Sequence, residues 1–119
     1  MKSDDLSDSH ADFSHFEALD IRVGTVLKAQ FFEKARKPAI QLWIDFGELG
    51  IKQSSAQITD LYSPEKLIGT PIVAVVNFPP KRIAGFVSEC LVLGALGRDS
   101  AAVVLLRPDT PVEPGSRIA

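Results

Sequence analysis

Histidine is nearly absent from this chain of 119 residues, and its scarcity excludes the commonest catalytic chemistry. The two histidines, His10 and His15, lie close to the amino terminus, so residues 21–119 contain no imidazole. The usual general base, the usual metal ligand and any serine or cysteine nucleophile paired with histidine are therefore excluded from the body of the chain. We expect a binding protein and not an enzyme, with no metal site and no cofactor.

Cysteine is also scarce, because Cys90 is the only one and cannot form an internal disulfide. A chain without disulfides is typical of a reducing compartment, and the apolar neighbours of Cys90 favour a buried thiol over a reactive one. No apolar run approaches the roughly 18 residues that a membrane span requires, and the acidic residues 1–10 lack the apolar core of a secretory signal. A Walker-type glycine loop is absent too, so nothing predicts nucleotide hydrolysis. We expect a cytoplasmic protein without membrane insertion.

The charges are unevenly distributed along the chain. Residues 1–20 contain six acids and one lysine, whereas residues 21–119 contain twelve bases and nine acids. We interpret residues 1–11 as a flexible acidic leader and residues 12–119 as a single domain, because the length and composition fit one small globular fold. The mildly basic body has two clusters of cations, which would either neutralise a few phosphates or stay solvated: Lys34, Arg36 and Lys37, and Lys81 with Arg82.

The hydrophobic pattern predicts an all-β fold with short helices. Segments with strand character, which we interpret as about five principal strands, are residues 21–32, 39–46, 51–55, 71–76, 91–93 and 101–106. Gly24 predicts a bulge in the first strand, and the last three segments are apolar throughout, which predicts burial on both faces. Residues 12–19 predict an amino-terminal helix, and residues 59–67 predict short helical turns before the fourth strand. This order describes a five-stranded barrel of the oligonucleotide/oligosaccharide-binding (OB) type, with an SH3-like barrel as the alternative.

Three aromatic side chains have more apolar surface than a small barrel alone would shield from water. Phe13 and Phe16 are three residues apart and share one face of the predicted helix. Such a short helix is not stable alone, so it either plugs its own domain or packs on a partner subunit. Trp43 lies on the polar face of its strand, where another element or subunit covers it or where it stacks on a ligand. We predict a homodimer with Phe13, Phe16 and Trp43 at the interface.

Residues 77–90, NFPPKRIAGFVSEC, form the most distinctive segment of the chain. Two prolines stiffen the backbone and remove two N–H donors, and two adjacent cations follow them. Phe78 and Phe86 add flat apolar surface. This combination predicts a binding loop, and the alternative is an ordinary connection between strands whose charges stay solvated.

Three motifs resemble the CsaA family of bacterial secretion chaperones: DIRVG at residues 20–24, KQSSAQIT at residues 52–59 and NFPPKRIAGFVSE at residues 77–89. The resemblance covers nearly all of residues 13–119. That family is similar to the tRNA-binding domain that ends some methionyl-tRNA synthetases and that also stands alone as a small structure-specific tRNA-binding protein. The wider group more often has Asn-Leu-Lys-Pro where this chain has Phe78 and Pro79 after Asn77, so aromatic surface replaces a cation.

The resemblance implies an OB-fold homodimer, formed partly through the amino-terminal helix, with a pocket on each subunit that accepts unfolded or preprotein peptides without nucleotide hydrolysis. Apolar contacts would come from Phe32, Phe78 and Phe86. Acidic groups of the peptide would meet the cations Lys37, Lys81 and Arg82. The peptide backbone would form hydrogen bonds with Gln53, Ser54, Asn77 and Ser88.

The alternative function is binding of tRNA or another RNA. Phosphate contacts would come from Lys34, Arg36, Lys37, Lys52, Lys81 and Arg82. Hydrogen bonds to bases or ribose would come from Asn77 and Ser88, and Phe78 would stack on a base. Both functions use the same predicted face. They differ in their response to salt, because phosphate contacts weaken steeply with ionic strength and an apolar peptide site does not. A purely structural subunit would bind neither ligand.

Overall fold

The computed structural model describes residues 9–98 and 102–119. Most of the predicted leader and residue 101 of the predicted last strand lie outside these ranges. The principal elements, in chain order, are α1 (Phe13–Ala18), β1 (Ile21–Phe31), β2 (Ile40–Asp45), a 3-10 turn (Gly47–Leu49), β3 (Ile51–Ala56), α2 (Pro64–Leu67), β4 (Pro71–Val75), β5 (Lys81–Ile83), β6 (Phe86–Ser88), β7 (Leu91–Val92), β8 (Gly94–Leu96) and β9 (Val103–Leu105).

Five strands form one antiparallel sheet in the order β3-β2-β1-β4-β7. The sheet curls until β3 meets the residue that follows β6. There the Glu89 amide donates to the Gln53 carbonyl oxygen at 2.8 Å, and the Gln53 amide donates to the Glu89 carboxylate at 3.0 Å. The result is a nearly closed five-stranded barrel with α2 inserted before β4, which confirms the predicted OB fold. The strands β5 and β6 form a separate ribbon, and so do β8 and β9.

The alternation in β2 sets the inside and the outside of the barrel. Ile40, Leu42, Ile44 and the following Phe46 are fully buried, whereas Trp43 faces the other way and is half-buried. Each large apolar side chain that is removed from water contributes about 1.5–3 kcal/mol, so this strand is the main contributor to the core. The predicted division of its two faces is confirmed.

Gly24 has a different role from the one predicted. It pairs regularly with Ile72, and the irregularity in β1 lies further along, where the register with β2 shifts between Val26 and Lys28. The predicted position of the bulge is therefore wrong. A Cβ atom on Gly24 would lie 2.5 Å from Cγ2 of Ile44 and 2.7 Å from the ring of Phe46. The glycine is required because the core side chains of Ile44, on the neighbouring strand β2, and of Phe46, just after it, fill the space that a side chain would need.

Burial of the later strands agrees with the prediction only in part. In β4 all residues after Pro71 are buried, as expected. Leu91 in β7 and Val104 in β9 are exposed, so the prediction of burial on both faces is wrong there. β7 forms the outer edge of the sheet, and β9 belongs to a two-stranded ribbon. An apolar run does not report whether a second layer of protein exists to cover it.

The helix α1 does not pack into the barrel. None of its residues is buried, and Phe13 is 68% exposed with its ring 6.0 Å from that of Phe16. The two rings share one face, as predicted, and plugging of the chain's own domain is excluded as their role. Among the helices of the described residues, none is long and apolar enough to span a membrane.

Candidate ligand-binding site

The segment predicted to be a binding loop is largely a β-hairpin. Strands β5 and β6 pair in register, with Lys81 opposite Ser88 and Ile83 opposite Phe86. The turn between them has two residues, Ala84 with φ 47° and Gly85 with φ 85°. Two consecutive left-handed residues make a type I′ turn, whose twist matches that of the flanking strands. Sequence reasoning missed the hairpin because its strands are short and its turn lacks the usual Asn-Gly or Asp-Gly pair.

Polar contacts from β3 hold the hairpin against the barrel. The Gln53 side chain donates through Nε2 to the Val87 carbonyl oxygen at 2.8 Å and accepts from Trp43 Nε1 at 3.1 Å. The Ser55 amide donates to the Ser88 hydroxyl oxygen at 3.1 Å. The hairpin is therefore fastened along one side of β3, and its position relative to the sheet is fixed.

Aromatic contacts anchor the hairpin near its turn. The ring of Phe86 meets Trp43 edge to face at 5.8 Å between centroids, and it meets Phe32 at 5.4 Å. Lys28, the register partner of Trp43 on β1, places its Nζ 4.7 Å from the centroid of the Trp43 ring. Trp43 is thus covered by its own chain, which was one of the two alternatives, and its position no longer requires a partner subunit.

A pocket of about 430 Å³, here called the hairpin pocket, lies between the hairpin, the end of β3 and β7. Its lining is mostly apolar with a few hydrogen-bonding groups, and comprises Ser55, Ala56, Gln57, Ile58, Phe78, Pro79, Lys81, Ile83, Ser88, Glu89, Cys90, Leu91, Val92 and Val103. Such a combination of apolar walls with a few polar groups is typical of a site that binds an apolar group in one orientation. Three of the predicted peptide-binding residues, Phe78, Lys81 and Ser88, meet here.

A second cavity, here called the groove, is open and has a volume of about 720 Å³. It is lined by Gln30, Phe31, Phe32, Glu33, Lys34, Gln41, Ala84, Gly85 and Phe86. Gln30 and Gln41 are register partners, and Nε2 of Gln30 donates to Oε1 of Gln41 at 2.8 Å. Phe31 is 55% exposed and offers its ring to solvent. The groove therefore combines aromatic surface, side-chain amides and charge.

The predicted peptide-binding residues are divided between the two cavities. Phe32 and Phe86 line the groove and not the hairpin pocket, and Phe32 is only 6% exposed, with its ring in contact with that of Phe86. Lys37 is exposed in the β1–β2 connection. Phe78 remains the aromatic side chain with the most accessible surface in the hairpin pocket, at 44% exposed.

Three predicted hydrogen-bonding residues serve the fold. Ser54 is 1% exposed and its hydroxyl donates to the Cys90 carbonyl oxygen at 2.8 Å, so its prediction as a ligand contact is wrong. Because side chains alternate along a strand, Ser54 and Gln53 point to opposite faces, and that rule should have excluded one of them. Gln53 uses both ends of its amide within the fold, as donor to the hairpin at the Val87 carbonyl oxygen and as acceptor from Trp43 on β2. Asn77 also uses both ends, as donor to the Ala18 carbonyl oxygen and acceptor from the Asp20 amide.

The cations do not form one continuous surface. Arg82 is opposite Val87, so its side chain leaves the hairpin on the other side from Lys81, and it is exposed. Lys52 is opposite Ile44, whose side chain is in the core, and it therefore leaves β3 on the other side from Gln53.

Loop cations of the β1–β2 connection lie closer to the aromatic surface. Lys34 lines the groove, and Arg36 borders a shallow neighbouring cavity that shares Phe31 and Phe32 with it. Of the predicted RNA-binding cations, Lys34 is the one that lines the groove.

Sequence reasoning did not predict that the adjoining ends of β1 and β2 line a cavity. Gln30, Gln41 and Phe31 line the groove, although none of them was predicted to contact a ligand. The alternation of β2 placed Gln41 beside Trp43, which indicated the outer face. The bulge between Val26 and Lys28 obscured the corresponding residues of β1, because it changes which residues face outward.

Cys90 lies at the inner end of the hairpin pocket and is buried, as predicted. Burial raises the pKa of its thiol to about 11, and the negative charge of Glu89 acts in the same direction. The Ser54 hydroxyl and Lys52 oppose this shift. The thiol is therefore protonated at neutral pH and acts as an apolar wall. In the described part of the chain, no group of three or more His, Cys, Asp and Glu side chains is placed to hold a metal ion.

Known proteins resemble this chain in both sequence and structure. A family model described as "Putative tRNA binding domain" matches residues 21–117. The methionine–tRNA ligase of Bacteroides fragilis is 37% identical over 110 residues, which are 92% of this chain and 16% of the ligase. The corresponding ligase of Archaeoglobus fulgidus is 41% identical over 103 residues, which are 87% of this chain and 15% of the ligase. The chain thus spans about a sixth of the length of these curated relatives.

Solved structures match over almost the whole chain. The crystal structure of chaperone CsaA from Bacillus anthracis is 58% identical with a TM-score of 0.89, covering 93% of this chain and 100% of that one. The CsaA chaperone protein from Picrophilus torridus is 50% identical with a TM-score of 0.86, covering 92% and 100%. A protein related to methionyl-tRNA synthetase from Pyrococcus horikoshii is 30% identical with a TM-score of 0.83, covering 93% and 99%.

Proposed function

This chain belongs to the tRNA-binding-domain family, in the group of the CsaA chaperones, and we propose that it holds unfolded or preprotein peptides without nucleotide hydrolysis. The observation that carries the proposal is the hairpin pocket. Its volume of about 430 Å³ lies within the range of ligand pockets and suits one large apolar side chain with part of the adjoining backbone.

The chemistry of the pocket suits an extended peptide. Phe78, Pro79 and Ile83 supply apolar contacts, and the Ser88 hydroxyl and the Lys81 ammonium lie among them. A peptide would insert an apolar side chain between these residues and place an acidic neighbour or a backbone carbonyl near Lys81. Holding a peptide in this way needs no catalytic group, in agreement with the inert thiol of Cys90.

The proposal includes a homodimer that covers α1. Phe13 and Phe16 form an exposed aromatic stripe on a helix of six residues that buries none of them. A helix of this length is marginal in water without tertiary packing. A second copy of the chain would supply that packing by laying its own α1 stripe against the first, as in a two-fold symmetric contact.

Titration with a fluorescently labelled apolar peptide tests the proposal. Phe78→Ala should weaken peptide binding by roughly tenfold, because removal of a half-exposed aromatic contact costs about 1–2 kcal/mol. Leu61→Ala is the matched control, since Leu61 is an exposed apolar residue outside the hairpin pocket. Equal affinities of the Phe78 variant and the wild type would remove the hairpin pocket as the peptide site.

RNA binding is the second candidate function, and the groove favours it. Phe31 offers a stacking surface, the Gln30–Gln41 pair offers a donor and an acceptor side by side, and Lys34 lies at the same cavity. These are the groups that hold an unpaired base and its phosphate. On these two proposals, peptide would bind in the hairpin pocket and RNA in the adjacent groove, whereas one face for both was predicted from the sequence.

The salt dependence of tRNA binding tests this second function. A variant in which Lys34, Arg36 and Lys37 are changed to alanine should bind tRNA more weakly and with a shallower dependence on salt. The log–log slope should decrease by about 0.7–0.9 for each phosphate that is no longer neutralised. The charge-matched control changes three exposed cations elsewhere to alanine: Lys66, Arg98 and Arg107. The same slope in both variants would exclude the β1–β2 connection as an RNA contact.

A further inference from the structure

Asn77 joins α1 to the segment that enters the hairpin pocket. Its Nδ2 donates to the carbonyl oxygen of Ala18, the last residue of α1, at 2.9 Å. Its Oδ1 accepts the amide hydrogen of Asp20, just before β1, at 2.9 Å. The two bonds engage both ends of one amide with the short connection between α1 and β1, although Asn77 is 57 residues away from Asp20 in the sequence.

The segment that follows Asn77 is stiff. Phe78 and Pro79 line the hairpin pocket, and β5 begins directly after Pro80. Each proline fixes its own φ near about −65° and restricts the residue before it to extended conformations. A shift of Asn77 is therefore passed on to Phe78, because the backbone between them has few soft torsions.

The helix α1, to which the Asn77 side chain is hydrogen-bonded, is weakly held by the rest of the chain. α1 contributes no buried residue, and it is followed by Leu19, which packs only in part against the smaller apolar cluster around Ile21 and Val75. The bond from Asn77 to Ala18 ties the end of α1 directly to the start of the hairpin segment. The position of α1 thus depends on the partial packing of Leu19, on this bond and on whatever covers Phe13 and Phe16.

We infer that Asn77 is a positioning residue that couples the contact between subunits through α1 to the shape of the peptide pocket. The inference rests on the proposed function. When a second copy covers Phe13 and Phe16, α1 is fixed, Asn77 is held by Ala18, and Phe78 is set against the pocket. When the stripe is uncovered, α1 moves and Phe78 moves with it. Peptide affinity is then lower in the single subunit than in the dimer.

A double-mutant cycle tests the coupling. Its four proteins are the wild type, Phe13→Ala with Phe16→Ala, Asn77→Asp, and the combination of all three changes. Asn77→Asp keeps an oxygen that accepts from Asp20 and replaces the donor to Ala18, so it cuts the link to α1 while the link to β1 stays. Sedimentation gives the oligomeric state of each protein, and anisotropy of a labelled apolar peptide gives its affinity.

In the wild-type background, removal of the two rings should weaken peptide binding by about fivefold, the equivalent of one net hydrogen bond. In the Asn77→Asp background the same removal should change the affinity by less than about twofold, because the link is already cut. An equal loss in both backgrounds, or no loss in the wild-type background, would overturn the inference. Absence of peptide binding by the wild type itself would instead overturn the proposed function.

Asp45→Asn is the matched control for Asn77→Asp. Asp45 also accepts a backbone amide hydrogen with its side chain, from Gly47 at 2.9 Å, and it lies at the end of β2, outside the contacts of α1. In this background the loss on removal of the two rings should equal the loss in the wild type. If Asp45→Asn abolished that loss as Asn77→Asp does, the effect would be a general one and the assignment of Asn77 would be wrong.

Discussion

Ile83 and Phe86 are direct register partners across the turn of the hairpin, and each lines a different cavity. Ile83 is part of the hairpin pocket, whereas Phe86 forms a wall of the groove and contacts Trp43 and Phe32. This pair separates the proposed peptide site from the candidate RNA site. A change in the pairing of Ile83 with Phe86 would therefore alter both cavities.

Phe86→Ala should destabilise the protein and expose Trp43. The ring of Phe86 is half-buried between two aromatic side chains, so its removal should lower the free energy of unfolding by about 2 kcal/mol. Because Trp43 is the only tryptophan, its fluorescence maximum should shift to longer wavelength. Urea denaturation and emission spectra measure both effects. Phe31→Ala is the control and should leave the emission maximum unchanged, and an unshifted Phe86 variant would contradict the observed contact.

Ala84→Asn should stabilise the protein. Ala84 has φ 47°, a left-handed conformation that costs an ordinary residue about 1 kcal/mol and that asparagine adopts more readily. We expect a gain of about 0.5–1 kcal/mol in the free energy of unfolding, measured by urea denaturation. Gly85→Ala is the opposite control, because φ of 85° disfavours any side chain, and it should destabilise. Destabilisation by Ala84→Asn would show that the turn is not type I′.

Gly24→Ala should be costly although it adds one methyl group. The new Cβ would lie 2.5 Å from Cγ2 of Ile44 and 2.7 Å from the Phe46 ring, so these two core side chains must shift. Overpacking of this kind lowers the free energy of unfolding by about 1–3 kcal/mol. Thermal or urea denaturation gives the value. The neighbouring Thr25→Ala, which removes atoms at a half-buried position, should cost less, and the reverse order would contradict the close approach.

Alkaline pH should destabilise the protein through Cys90. The folded thiol has a pKa of about 11 because it is buried, compared with 9.0 for an ordinary thiol. Between these two values the folded state binds more protons than the unfolded state, so stability falls as pH rises. Below pH 9 the contribution is complete, and above about 11 it is gone. Cys90→Ala should therefore lose less stability than the wild type between about pH 9 and pH 11, where equal losses would contradict the shift.

Reaction of Cys90 with iodoacetamide gives an independent reading of the same thiol. The thiolate is the reactive form, so modification of the folded protein should be slow at about pH 8 and should accelerate as pH approaches 11. Because Cys90 lines the hairpin pocket, a bound apolar peptide should slow the reaction further. Fast modification near neutral pH would show that the thiol is accessible and ionised.

Much of the fold was predictable because it depends on local pattern. The alternation in β2 identified Ile40, Leu42 and Ile44 as core residues, and their complete burial confirms it. Errors arose where a pattern has two physical causes. A glycine in a strand marks either a bulge or a close approach, and Gly24 is the second case.

The candidate site was less predictable because its residues come from distant parts of the chain. Phe78 and Phe86 are neighbours in one motif, and yet they line different cavities. Asn77 and Gln53 have amide side chains that could bind a ligand. In the fold, however, both ends of each amide already form hydrogen bonds within the chain. Side-chain chemistry alone does not report which hydrogen-bonding groups are already satisfied.

The sequence by itself determined the barrel, the shared face of Phe13 and Phe16 and the lack of imidazole chemistry in the body, because periodicity and composition are properties of the chain. Tertiary structure alone decided that residues 81–88 form a hairpin, that this hairpin borders two cavities and that Asn77 ties the segment before it to α1. Those outcomes depend on contacts such as Gln53 with Val87, between residues 34 positions apart. Only the folded barrel, with the hairpin fastened to β3, brings such residues within hydrogen-bonding distance.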